Sequence, residues 1–137
     1  MSMSIQEIKV GQSASHGKTI TEADIKLFAD LTGDANPVHM DEEYAKQSIF
    51  NGRVAHGMLG AGLISTVFGM YLPGPGTVYL SQTLQFLAPV RIGDTITATC
   101  TVKEKIEERK RLIFDCKVTN QDGVDVIKGE AIVKTGR

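Results

Sequence analysis

The sequence predicts an α+β fold: a single domain in which a long central helix is wrapped by a curved antiparallel β-sheet. Three observations predict it. The run from Val54 to Phe68 is apolar almost all round, as a helix buried on most sides must be. From Thr77 onward the pattern changes to period two, the signature of strands with one face inward. Two later strand-like runs meet at Asn120-Gln121-Asp122-Gly123, a hairpin turn, so they pair antiparallel. A buried helix followed by long antiparallel strands leaves the sheet to curl around that helix.

The elements follow in chain order. Ile8 to Ile20 reads as an extended lead-in. A helix is predicted from Glu22 to Leu31, with Thr21 as N-cap and Glu22 and Asp24 in the first turn, where the helix dipole favours acids. Ile25, Phe28, Ala29 and Leu31 form its apolar face, and Gly33 is its C-terminal stop. A shorter helix is predicted from Glu42 to Gln47. In the central helix Gly57, Gly60 and Gly62 each cost roughly 1 kcal/mol relative to alanine in a helix interior, so a backbone or a ligand is expected to approach closely there. Leu72-Pro73-Gly74-Pro75-Gly76 ends that helix. Val78 to Leu87 reads as one strand, closed by Pro89. Thr95 to Val102 alternates strictly, threonines on one face and apolar residues on the other. Leu112 to Thr119 and Val124 to Val133 are the strands of the hairpin.

With 137 residues, the chain from 1 to 137 is expected to be one domain large enough for a real core. Its 42% apolar and 23% charged content is that of an ordinary globular protein. A net charge of −1 supplies no field to attract nucleic acid or an anionic membrane, so neither partner is expected. The longest membrane candidate, Ala55 to Leu72, is interrupted by His56 and glycines and reads as a buried helix. Met1 to Ile5 has neither a basic n-region nor an apolar h-region, so the expected location is cytoplasmic. Cys100 and Cys116 lie in strand-like runs without a CxxC spacing, and are expected to be small buried side chains rather than a disulfide or metal site.

The chemistry concentrates in Gly33-Asp34-Ala35-Asn36-Pro37-Val38-His39. A carboxylate, an amide and an imidazole fall within six residues, on a loop between two helices where catalytic groups tend to sit. Asp34 and His39 are the candidate proton-moving pair, a carboxylate and an imidazole suited to general acid–base work near neutral pH. Pro37 fixes one backbone angle between them. Without His39, Asp34 and Asn36 would be ordinary turn or capping residues. Gly57, opening the buried helix, offers a backbone N–H at a helix N-terminus, suited to an oxyanion. Three scattered histidines give no metal-ligand spacing, and no phosphate-binding glycine loop is present, so no metal and no cofactor is expected.

Phe28 to His39, with Ala45 beyond it, resembles the hydratase 2 signature of the R-specific enoyl-CoA hydratases, the MaoC-like group. Ala55-His56-Gly57-Met58-Leu59 and Ser65 are similar to that family's central helix, and the likeness continues through Leu72-Pro73-Gly74, Phe86, Pro89-Val90, Gly93-Asp94 and Gly129-Glu130-Ala131. The resemblance implies a hot-dog fold, a homodimer with its site in a tunnel near the subunit interface, and an acyl-CoA thioester substrate. It implies reversible hydration of trans-2-enoyl-CoA to (R)-3-hydroxyacyl-CoA. In that scheme Asp34 activates water, His39 holds the water and shuttles its proton, and the Gly57 N–H stabilises the thioester oxyanion. Asn36 and Ser65 are expected on the substrate side, Asn36 orienting the loop or a catalytic partner by hydrogen bonds and Ser65 facing the acyl pocket or hydrogen-bonding near the catalytic pair.

Alternatives are dehydration of a carrier-protein-bound 3-hydroxyacyl chain, a non-catalytic acyl-thioester-binding subunit, and a thioesterase. The pocket is expected around Leu59, Leu63, Leu84 and Phe86. His56 reads as a structural histidine at the helix entrance, and His16 as exposed and incidental. Lys103, Lys105, Arg109, Lys110 and Arg111 form a basic run at a turn, read as a solvated hairpin, with contact to coenzyme A phosphates as the alternative.

Overall fold

In the computed structural model, which describes residues 2–137, the chain begins with β1 (Ser13–Thr19), α1 (Glu22–Thr32), α2 (Pro37–Met40), α3 (Glu42–Lys46) and α4 (Gly57–Met70). Five more strands follow: β2 (Val78–Gln82), β3 (Gln85–Phe86), β4 (Thr95–Ile106), β5 (Arg111–Thr119) and β6 (Asp125–Lys134). All pairings are antiparallel, in the order β1-β4-β5-β6-β2, with β3 also against β6.

The sheet wraps α4. Alternation in β4 sends Ile96, Ala98, Cys100 and Val102 inward, and β5 does the same with Leu112, Phe114, Cys116 and Val118. These meet Ile64, Val67 and Phe68 of α4, with the Phe68 ring 4.7 Å from that of Phe114. Gly60 faces the sheet so closely that a Cβ there would lie 3.2 Å from Ile127 Cδ1 and 3.4 Å from Ile96 Cδ1. On the outer face, Ser15 and Thr19 of β1 pair their hydroxyls with Thr99 and Thr95 of β4 at 2.9 and 2.6 Å. Cys100 and Cys116 stand directly opposite in the β4–β5 register, both buried and both free thiols. Their mutual hydrogen bond, then burial, pushes the Cys100 thiol well above the usual range.

The ends of α1 form as predicted. Thr21 Oγ1 accepts from Asp24 N–H at 3.1 Å and Asp24 Oδ2 from Thr21 N–H at 2.9 Å, a capping box. Gly33 ends the helix in the left-handed region at φ +82°.

The structure departs from the sequence reading in two places. Val78 to Leu87 is two strands, broken at Thr83-Leu84. The break lies where β6 carries Gly129, at which a Cβ would collide with the Thr83 carbonyl oxygen. The central helix starts at Gly57, as read; Val54 and Ala55 of the apolar run before it are extended, and their N–H groups bond Val38 O and Val90 O at 3.2 and 2.7 Å. Pro37–Met40 is a short helix rather than loop, since Asn36 caps it and Pro37 occupies its first turn.

Candidate active site

The Gly33–His39 stretch is a helix stop joined to a helix start. Gly33 N–H closes α1 on Ala29 O at 2.8 Å, and Thr32 Oγ1 accepts from Asp34 N–H at 3.2 Å. Asp34 Oδ1 then accepts from Asn36 N–H, and Asn36 Oδ1 from Val38 N–H, each at 3.2 Å. Each polar side chain bonds a backbone N–H two residues on, so this short segment holds its own shape. His39 therefore sits on a helical turn, and its Nδ1–H donates to Val54 O at 2.7 Å. A carbonyl only accepts, so that bond leaves the His39 Nε2 lone pair bare.

Asp34, His39 and His56 converge, with one polar side-chain atom from each within 4.8 Å of the others. His56 caps α4 by position, but no side-chain cap bond forms at that end. Its ring is buried, 3.9 Å between centroids from His39 and 4.7 Å from Phe28. Its Nε2–H donates to the Asp34 backbone carbonyl at 2.8 Å. Three such donors invite a cation, but their geometry is unsuited to one. His39 Nδ1 and His56 Nε2 are each committed to a backbone carbonyl, and the remaining His56 nitrogen is buried. A carboxylate and an imidazole within 4.8 Å of each other suit a shared water instead.

Behind this cluster opens a cavity of about 460 Å³, lined by His39, His56 and Gly57 at its polar end and otherwise mostly by apolar side chains. The exposed α4 N-terminus at Gly57 borders it, bringing a backbone N–H and the positive end of the helix dipole to the same place. Phe86 packs on Gly57 so tightly that a Cβ would lie 2.7 Å from the ring carbons Cδ1 and Cε1.

The structure thus brings Asp34, His39 and Gly57 to one end of one cavity, with Asp34 itself exposed at the rim. It does not bring Ser65 there. Ser65 is exposed on α4, away from the cavity lining. Asn36 also stands outside the lining, its carboxamide oxygen committed to capping α2. Of the expected pocket residues only Phe86 lines the cavity. Leu63 is buried in the core, while Leu59 and Leu84 pack against it. The apolar walls come instead from Ile20, Phe50, Val54, Ile96, Val126 and Ile127, among others. The basic run is held elsewhere: Lys103 pairs with Glu130 at 2.9 Å, and Lys105 donates to Ile5 O and Ile8 O.

Sequence reasoning missed Arg53. Its Nε donates to His39 O at 2.6 Å and its two Nη atoms to the Glu22 carboxylate at 2.6 and 3.0 Å, tying α1 to α2 beside the site. Nothing local marks that role, because its partners lie far off in the chain. His16, expected to be exposed and incidental, is instead half-buried on β1, with Nδ1 3.1 Å from the Tyr71 hydroxyl.

A model of the MaoC-like domain family matches residues 4–123. Over 128 residues the chain is 55% identical to the (R)-specific enoyl-CoA hydratase of Rhodospirillum rubrum, covering 93% of this chain and 88% of that protein. It is 47% identical over 129 residues to the 3-hydroxybutyryl-CoA dehydratase of Methylorubrum extorquens, covering 94% and 82%. Among solved structures, the R-hydratase PhaJ1 of Pseudomonas aeruginosa in its unliganded form matches with a TM-score of 0.92 and 43% identity, over 98% of this chain and 86% of that one. The hot-dog architecture expected from the sequence is shared with that structure.

Proposed function

The chain belongs to the family of MaoC-like domains, and on that footing we propose that it is a hydro-lyase which reversibly adds water to trans-2-enoyl-CoA, giving (R)-3-hydroxyacyl-CoA. The observation that carries the proposal is the meeting of Asp34 and His39 with the α4 N-terminus at the mouth of one mainly apolar cavity. Proton-moving groups sit beside an oxyanion donor, and an acyl chain has an apolar space to enter.

In this reading Asp34 and the bare Nε2 of His39 hold one water between them. The water oxygen adds to the β-carbon as its proton passes to the pair. The π electrons move toward the thioester oxygen, where the Gly57 N–H stabilises the charge. The carbonyl re-forms when the α-carbon takes the proton back, so acid and base are both restored. Asn36 acts on substrate only indirectly, by capping the turn that carries His39.

The test is loss of the conjugated-thioester absorbance when purified protein meets crotonyl-CoA, with product configuration read by a stereospecific dehydrogenase. Asp34→Asn and His39→Gln are each expected to lower kcat by about 100-fold or more with an unchanged circular dichroism spectrum. Full activity in both folded variants would remove the assigned roles.

We further propose that the chain, residues 1–137, forms one MaoC-like hydratase domain and assembles as a homodimer. The strand β6 extends beyond the matched family segment yet lies between β5 and β2, so it belongs to the same body. A free edge at β2 with Val78, Tyr79 and Leu80 exposed supports association. We also propose a cytoplasmic location, the expectation supported by the likeness to the bacterial hydratases.

A further inference from the structure

We infer that His56 is a positioning residue, whose side chain locks the water-activating loop to the oxyanion-holding helix. The inference rests on the proposed roles of Asp34 and Gly57 and adds the part that keeps the two in register.

His56 immediately precedes Gly57, so its backbone starts the helix that presents the Gly57 N–H. Its side chain reaches back across the site, and Nε2–H donates to the Asp34 carbonyl at 2.8 Å. The other polar contacts of the Gly33–Asn36 turn run to its chain neighbours: its N–H groups donate to Ala29, Thr32, Gly33 and Asp34, and Asn36 accepts from Val38 N–H and His39 N–H of α2. Residues Leu31 to Pro37 are all exposed, so packing does little to hold them. The His56 bond is the described link from Asp34 to the central helix.

The ring is placed for that bond alone. Once Nε2 carries the proton, Nδ1 is a bare acceptor, and it is buried without a partner. Leaving a buried acceptor unpaired is costly, and a phenyl ring would fill the slot between Phe28 and His39 without that cost. What imidazole adds over phenyl is the Nε2–H. Its stack against His39, with centroids 3.9 Å apart, also fixes the plane in which the His39 lone pair lies.

The test uses three variants on crotonyl-CoA. In His56→Gln the amide nitrogen falls near the Nε2 position and keeps the donor. In His56→Asn the amide falls near Nδ1 and cannot reach Asp34, and His56→Phe keeps the stack without any donor. Misplacement of a reacting group by about an ångström costs on the order of 100-fold. The Asn and Phe variants are therefore expected to lose roughly 10- to 100-fold in kcat with KM changed by less than about threefold, while Gln stays within about fivefold of wild type.

Equal activity in Gln and Asn, at either level, would overturn the inference, and so would a loss confined to KM. If the Phe variant fails to fold, the Gln–Asn contrast decides alone. Asp34→Asn is run alongside. If it stays active, the underlying reading falls and the inference with it. If it is dead while His56→Asn matches wild type, only the role of His56 is overturned.

Discussion

At the scale of single residues, Asp34, His39 and Gly57 stand out as candidates because each is marked by its neighbours in the chain. Aspartate two before an Asn-Pro pair, histidine two after, and glycine opening an apolar helix are patterns a sequence displays. Ser65 and His56 were not legible. The helix bearing Ser65 is apolar on nearly every side, so no stripe tells which serine faces a cavity. His56 acts on Asp34 across 22 positions, and only the fold supplies that pairing. Gly57→Ala tests the close approach directly. The new methyl must displace the Phe86 ring, which is 53% exposed and free to move, so stability should hold. Activity is expected to fall by about 10-fold as the methyl crowds the oxyanion donor, less than the loss from deleting such a donor outright. Removing the ring as well, in a Gly57→Ala/Phe86→Ala protein, should recover part of kcat/KM if crowding by the aromatic is the cause.

At the scale of elements, helices and strands followed the period of their apolar residues, and the misses have physical causes. The interruption of Val78–Leu87 depends on a glycine in β6, a partner strand distant in the sequence, so alternation within the run could not reveal it. Gly129→Ala sets a methyl against the Thr83 carbonyl, backbone against backbone, and should destabilise the protein by about 1–3 kcal/mol in a denaturant titration. Thr21 was readable as the N-cap of α1 and Asp24 as a first-turn acid; the capping box they form carries a pH signature. Burial pushes the Asp24 carboxyl up, but hydrogen bonds from the Thr21 N–H and Lys18 Nζ outweigh it and hold the group below its ordinary value. A depressed folded-state pKa contributes stability above the unfolded value, and that contribution fades as pH falls through the folded one. Asp24→Asn should therefore cost about 1 kcal/mol at neutral pH, with its Tm converging on that of wild type in acid. A gap that stays constant to low pH would contradict this.

At the scale of the whole molecule, the α+β class and the wrapped helix were readable from the order of the patterns, one apolar helix and then strands. Sheet order was not, because alternation says which face is inward but not which strand lies alongside. The edge at β2 is where assembly is expected. Leu80→Lys adds a charge to that exposed strand and should shift the protein from dimer to monomer in sedimentation equilibrium. A wild-type protein that sediments as a monomer would refute the proposed association. The same topology bears on how the chain acquires its shape. The meander β4-β5-β6 closes through short connections, whereas β1 waits for a partner far along the chain, Ser13 lying opposite Thr101. On a ribosome the first strand emerges long before the strand it joins, and spends that interval with its hydrogen bonds turned to water. Long-range closure of this kind is slow, so the oldest part of the polypeptide is expected to dock after the meander it joins has formed.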